Sequence, residues 1–356
     1  MKIAYGIHGY GRGHATRALA VLPELARRHD VLILAGGDAW RALADDYRVV
    51  RIPTLRYSLG RGGRISAART LVRTVPRWMD LNLRGPALEM VTDVVGEFAP
   101  DVVVSDSEAW THRAAKRLGI GRISFDHYGV LAYCAWPMSA GARVRCRIEA
   151  RLYRALMGGH PDRVVIASFY APPARRAGVR VVGPVLRDAV AQATPSDGPN
   201  LLVYFSNGHV HFTPRVEAAL RALDVPVTVY GVGRAGRDGT LDFRPPDNER
   251  FVADLAACGA VFATAGNQLI SEAMHLRKPM LLLPEDSFEQ RLNAAAVERM
   301  GIGMRTSRKT VCVDQLRAFQ AARDRLAAAM PAEASDGRAR AVEAIERYAA
   351  ELTGQT

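Results

Sequence analysis

The sequence predicts two α/β domains, each a parallel sheet wrapped by helices, and three observations point there. Short apolar runs alternate along the chain with stretches of helical periodicity, as the crossovers between parallel strands require. Glycine-rich or polar turns follow some of these runs directly, at residues 6–14, 36–37 and 206–208. A stretch of linker composition, AQATPSDGPN at 191–200, separates two such series. Length agrees, because 356 residues are too many for one ordinary domain and enough for two with separate cores.

In chain order, strands are expected at 2–7, 31–35, 49–52, 102–105 and 122–126, with residues 181–185 closing the first domain. The loop after the first run, Gly6-Ile7-His8-Gly9-Tyr10-Gly11-Arg12-Gly13-His14, opens a helix with apolar residues at Leu19, Leu22 and Leu25. A dinucleotide fold asks for G-x-G-x-x-G there, and Gly9 and Gly11 supply two of the three glycines, with His14 in place of the third. Asp38, the available ribose acid, stands behind Gly36-Gly37 and not at a strand tip, so a nicotinamide enzyme is disfavoured. In the second domain the expected strands are 201–205, 227–231, 261–264 and 280–284. A final helix is expected over 335–352, with Ser335 or Asp336 as N-cap.

The most informative stretch is Thr264-Ala265-Gly266-Asn267-Gln268-Leu269-Ile270-Ser271-Glu272, followed by Glu289-Gln290. A buried run ends in a turn that opens a helix, and a helix N-terminus presents backbone N–H groups to phosphate. Glu272 lies in the first two turns, where one carboxylate can accept both hydroxyls of a ribose. Glu289 and Gln290 pair an acceptor with a mixed donor and acceptor, the inventory that holds sugar hydroxyls. Ser206, Asn207 and Gly208 repeat the strand-then-polar-turn theme and offer donors to a pyrophosphate, whose departure develops negative charge. The whole reads as a nucleotide-sugar site.

These residues resemble the donor-binding half of GT-B glycosyltransferases, in the branch holding the lipid-intermediate N-acetylglucosaminyltransferase of peptidoglycan synthesis and the UDP-glycosyltransferases. The likeness is closest over 251–303 and recurs more weakly at the start of the chain. It implies two doubly wound Rossmann-like domains facing across a cleft: an acceptor domain over 1–190, a nucleotide-sugar domain over 191–330, and a helix in 331–356 packing back on the first. It also implies that Phe251-Val252 contact the base through backbone groups, that His14 is the base for the acceptor hydroxyl, and that no bound metal or cofactor is required. His8 is the other candidate base. Asp106, which ends the apolar run at 102–105, is the expected partner orienting His14, since an imidazole needs one nitrogen held as a donor to accept a proton at the other. Its competing role is a helix N-cap, alongside Ser105 and Ser107. Gly11, Arg12, Gly13, Asp126, His127 and Trp136 are further acceptor-side candidates.

Composition adds limits. No apolar run reaches the roughly 18 residues of a membrane span, and the start leads into a strand and not a signal peptide, so a cytoplasmic address is expected. Cys134, Cys146, Cys258 and Cys312 form no C-x-x-C pair, which suggests reduced thiols. Residues 1–195 hold 29 Lys plus Arg against 16 Asp plus Glu, a balance of +13, and residues 196–356 hold 19 against 20, a balance of −1. The basic excess therefore lies wholly in the first half and implies an anionic partner. Arg51 to Trp78 contains seven arginines and no acid, with Arg69, Arg73 and Arg77 on one helical face; this suits an anionic membrane surface, peripheral at the inner face of the plasma membrane. No nucleic acid is expected, because no stacking series or binding module accompanies the charge. The reading is an inverting glycosyltransferase using a UDP- or dTDP-sugar and a small-molecule or lipid-linked acceptor. Its alternatives are a nucleotide-sugar 2-epimerase and a non-enzymatic basic-domain binding protein.

Overall fold

The computed structural model describes residues 1–55, 79–81, 85–331 and 336–355, with Arg12 described by its backbone alone. The described residues fall into two compact units. The first takes those up to Leu186 and those from Asp336 onward, and the second takes those from Arg187 to 331.

In the first unit β1 (Lys2–Ile7), β2 (Asp30–Ala35), β3 (Val49–Arg51), β4 (Val102–Asp106), β5 (Gly121–Asp126), β6 (Arg163–Ala167) and β7 (Val179–Gly183) form one sheet in the order β3-β2-β1-β4-β5-β6-β7. Every pair is parallel. Helices cover both faces of such a sheet, so its strands read as unbroken apolar runs; all five residues of β4 are buried. The helix Arg12–Arg28 seals one face with Ala18, Val21, Leu22 and Leu25. The last helix, Arg338–Thr353, enters the same core through Ala341, Val342, Ile345 and Tyr348.

The second unit repeats the plan. β8 (Leu201–Tyr204), β9 (Val227–Tyr230), β10 (Gly236–Asp238), β11 (Leu241–Arg244), β12 (Ala260–Ala263), β13 (Met280–Leu282) and β14 (Gly303–Arg305) are ordered β10-β11-β9-β8-β12-β13-β14. Only the β10–β11 hairpin is antiparallel. Strand order reverses beside the first strand of each unit, between β1 and β4 and between β8 and β12. That reversal leaves a crevice at the carboxyl ends of the strands, where α/β sheets bind ligands.

Several expectations need correction. Strands β6, β10, β11 and β14 were not anticipated. Residues 191–200 are not a free linker: the Ser196 and Gly198 amides donate to the carbonyls of Ala256 and Ala257, so the segment is laid onto the second unit. The chain passes between units at Leu186/Arg187 and again before Asp336. The last helix has Gly337 at its N-cap position, and Asp336 instead accepts the amides of Arg338 and Leu186. Ser335 and residues 56–78, with the arginine face at 69, 73 and 77, lie outside the described residues. The four cysteines are free, as thiols. No described helix is long and apolar enough to cross a membrane.

Candidate active site

The ladder between β1 and β4 pairs Ile7 with Asp106, which places the aspartate at the strand-order reversal beside the loop that follows β1. The His8 amide extends that pairing by donating to the Asp106 carbonyl at 3.0 Å. Gly11 then turns the chain into the helix with φ of 86°, a left-handed conformation that favours glycine, and its amide donates to Asp38 Oδ2 at 3.2 Å. One turn further on, His14 Nδ1 lies 2.7 Å from Asp106 Oδ1. The aspartate is fully buried and the histidine about a quarter exposed. Arg17, three residues along the same helix face, grips the carboxylate at two points, Nε to Oδ2 at 2.8 Å and Nη2 to Oδ1 at 2.5 Å. Burial pushes the Asp106 pKa up, but the Arg17 charge and the His14 ring outweigh it and hold the value below the ordinary range. A carboxylate so fixed accepts the Nδ1 proton of His14 and leaves Nε2 with its lone pair, the arrangement of an oriented general base. The His8 ring stands edge-on at 5.1 Å from His14.

The N-cap role considered for Asp106 belongs to Glu108, whose oxygens accept the amides of Trp110 and Thr111. Two other acceptor-side candidates, Asp126 and His127, turn inward. Asp126 is fully buried and accepts from Ser124 Oγ, Tyr153 OH and the Gly129 amide at 2.7, 2.6 and 2.6 Å, so it ties β5 to the two helices that follow. His127 is buried with Nδ1 3.0 Å from the Ala167 carbonyl oxygen. Trp136 packs edge-on against Tyr170 at 4.9 Å. Asp126 and His127 are parts of the fold, and Trp136 is half-buried. Gly13 is in the first turn of the helix, and the Arg12 side chain lies outside the described atoms.

In the second unit the loops after β8, β12 and β13 converge. Gly266 is the N-cap of the helix Asn267–His275, which has no side-chain cap and no acid in its first turn, so its positive end is not neutralised from within. Asn267 is buried there, and its carbonyl accepts Ser271 Oγ. Ser206 Oγ and Asn207 Nδ2 both donate to Glu285 Oε1, at 2.8 and 3.0 Å, and His211 Nε2 lies 3.4 Å from the same oxygen. Burial pushes the Glu285 pKa up, yet His211, Ser206 and Asn207 together hold it below the ordinary carboxyl value. Gln290 Oε1 accepts the amides of Ala265 and Glu285 at 3.0 and 2.9 Å, which joins two of the loops. Glu289, its neighbour, begins the same helix, Phe288–Met300.

Three donor-side expectations change. The Gly208 amide donates to the Gly231 carbonyl, and a Cβ at Gly208 would stand 2.1 Å from that oxygen, so the glycine serves close backbone packing. Phe251 and Val252 lie inside the helix Asn248–Ala257, whose own ladder uses their backbone groups; the Phe251 ring instead packs edge-on against Tyr204 and Tyr230. Glu272 is almost fully buried and already held: Arg187 donates Nε and Nη2 to its two oxygens at 3.0 and 2.8 Å, and Gln268 Nε2 donates to one of them at 3.0 Å. Sequence reasoning missed Arg17, Arg187 and Glu285. The available signal for Arg17 was its place three residues after His14, which puts both on one helix face.

Two doubly wound sheets, one carrying an oriented histidine at its strand-order reversal and the other an uncapped helix N-terminus beside a held carboxylate, define a GT-B glycosyltransferase fold. The model of the family described as glycosyl transferase family 1 matches residues 1–322, and the chain belongs to that family. It is thus a sugar-transferring enzyme, which displaces the non-enzymatic reading. None of the curated proteins matches the chain. Among solved structures, it is similar to the glycotransferase of kitacinnamycin, with 19% identity and a TM-score of 0.66 over 99% of this chain and 95% of that one. It is similar to MurG of Acinetobacter baumannii, with 16% identity and a TM-score of 0.58 over 100% and 99%, and to VinC in complex with dTDP, with 14% identity and a TM-score of 0.62 over 100% of both chains.

Proposed function

We propose that the chain is an inverting glycosyltransferase that moves a sugar from a UDP- or dTDP-linked donor to an acceptor hydroxyl, with His14 as general base. The observation that carries this reading is the His14–Asp106–Arg17 cluster at the strand-order reversal of the first unit. His14 Nε2 takes the acceptor proton while the acceptor oxygen bonds to the anomeric carbon. The bond from that carbon to the diphosphate oxygen breaks, and the nucleoside diphosphate leaves with the electron pair. In the second unit, the N-terminus of Asn267–His275 takes the diphosphate charge, and Glu272, oriented by Arg187, accepts a ribose hydroxyl at a remaining lone pair. The dTDP in VinC supports a pyrimidine diphosphate donor. The proposal calls for no metal.

His14→Ala should cut turnover by roughly two to four orders of magnitude, the range for general-base removal, while donor affinity measured by calorimetry stays put. A loss confined to donor affinity would make His14 a phosphate ligand. The anomeric configuration of the product, read by NMR, tests inversion. Release of free sugar and nucleoside diphosphate at full rate without acceptor would favour the 2-epimerase chemistry.

A further inference from the structure

The helix Ala140–Leu156 of the first unit buries one face and exposes an apolar one opposite. Cys146, Ala150 and Tyr153 are its buried residues. Val144, Ile148 and Leu152 are large hydrophobics at 54%, 55% and 63% exposure. With about 100° between successive residues, these three form a single outward stripe diametrically opposite the buried face. Arg145 and Arg151 flank the stripe on its two sides, with Arg147 beyond Arg151, and all three are exposed. The helix carries five arginines and a single acid, Glu149, and that acid is engaged by Arg145 at 3.8 Å and by the Tyr128 hydroxyl at 3.2 Å.

We propose that this helix docks the enzyme on an anionic phospholipid surface, with Val144, Ile148 and Leu152 entering the headgroup–acyl boundary and the arginines bonding to phosphates alongside. The arrangement of charge decides the occupant. An apolar centre with guanidinium groups on both flanks suits an interface that is apolar in depth and negative at its surface, because long basic side chains lay their stems on the apolar layer and keep their heads at the phosphates. A second copy of the same face would set arginines against arginines. The inference goes beyond sugar transfer and does not depend on which residue is the base. It rests on other residues than those of the arginine-rich 56–78 segment.

The test uses the full chain and vesicles of phosphatidylcholine with or without phosphatidylglycerol. Wild type should sediment with the anionic vesicles at low salt and leave the neutral ones in solution. Replacing Val144, Ile148 and Leu152 together by Ser should cut partitioning at least about tenfold, with an unchanged melting temperature because the side chains are exposed. Arg145→Gln with Arg151→Gln should cut it by roughly fivefold per charge and flatten its salt dependence. The proposal is overturned by wild type that stays in solution with anionic vesicles, or by a serine variant that binds as well as wild type. It is equally overturned by light scattering that shows a dimer abolished by the serines without any vesicle binding, which would make the occupant a second copy.

Discussion

Arg17 acts on both members of the candidate dyad, because the nitrogen that binds Asp106 Oδ1 also stands 3.2 Å from His14 Nδ1. It keeps the buried aspartate ionised and fixes its plane, and so acts through the other two as a positioning residue. Arg17→Gln leaves a buried carboxylate short of its cation, and the stability loss expected for breaking one side of a buried pair is about 3–5 kcal/mol. Arg17→Lys returns the charge without the two-point grip. It should therefore recover stability better than turnover, measured by urea unfolding and initial rates; equal recovery of both would reduce Arg17 to a structural role. A second pair in the same unit governs acid behaviour. Burial pushes Glu108 up to about 7 from an ordinary 4.5, and burial pushes His112 down to about 3 from 6.5. The histidine's contribution is complete above 6.5 and is lost as pH falls toward 3; the glutamate's is complete below 4.5 and is lost as pH rises toward 7. Between 4.5 and 6.5 the two slopes oppose each other. Glu108→Gln keeps an oxygen for the helix cap and removes one slope, so stability should climb with pH by about 1.4 kcal/mol per unit between about pH 5 and 6. Urea midpoints as flat as those of wild type would contradict the assignment.

The elements visible in the sequence were those whose local signal matches their environment. β1, β4 and β12 are apolar runs because helices cover both faces of their sheets, and the polar turns after them are where the sheet reverses. β10 has three exposed residues and exists through its pairing with β11, and β14 is Gly-Met-Arg at an edge, so neither carries a period to detect. The helix Ala140–Leu156 carries a signal that is ambiguous in itself. It contains two stripes at helical spacing, and the more hydrophobic one, Val144-Ile148-Leu152, is the one left outside. Only tertiary packing decides between such faces. At the site, His14 and Asp106 were legible because Asp106 ends a strand and His14 opens the helix after one, whereas Arg187 and Glu285 enter through contacts 85 and 79 residues apart in the chain. The last helix gives this scale its prediction. Ile345→Ala removes a fully buried side chain from the first unit's core, at a cost of about 2–5 kcal/mol. Trp40, Trp110 and Trp136 all lie in that unit, so the loss should appear in tryptophan fluorescence during urea unfolding. An unmoved fluorescence transition would mean that the helix is dispensable to the core.

The chain forms two doubly wound units with unequal duties. The first unit carries the basic excess, the candidate base and the exposed apolar stripe; the second carries the donor-side groups and is nearly neutral. Composition showed that asymmetry, whereas the path of the chain between the units had no local signature. The first unit is discontinuous: Leu186 and Gly337 are stitched beside Asp336 and Pro184, with Leu186 N–H donating to Asp336 Oδ1 at 3.3 Å and Gly337 N–H donating to the Pro184 carbonyl at 2.6 Å. The second unit is therefore an insertion whose two ends are anchored side by side in the first. During synthesis, order of emergence and order of completion then part company. Domains generally fold as units as they leave the ribosome, the N-terminal one first, but here the first unit waits for residues 338–353 to cover its sheet, while the second can close as soon as residue 331 is out. The nascent chain passes through a stage in which the later half is native and the earlier half still exposes the apolar surface that Ala341, Ile345 and Tyr348 will cover. That interval is when the protein is most open to chaperones and to aggregation.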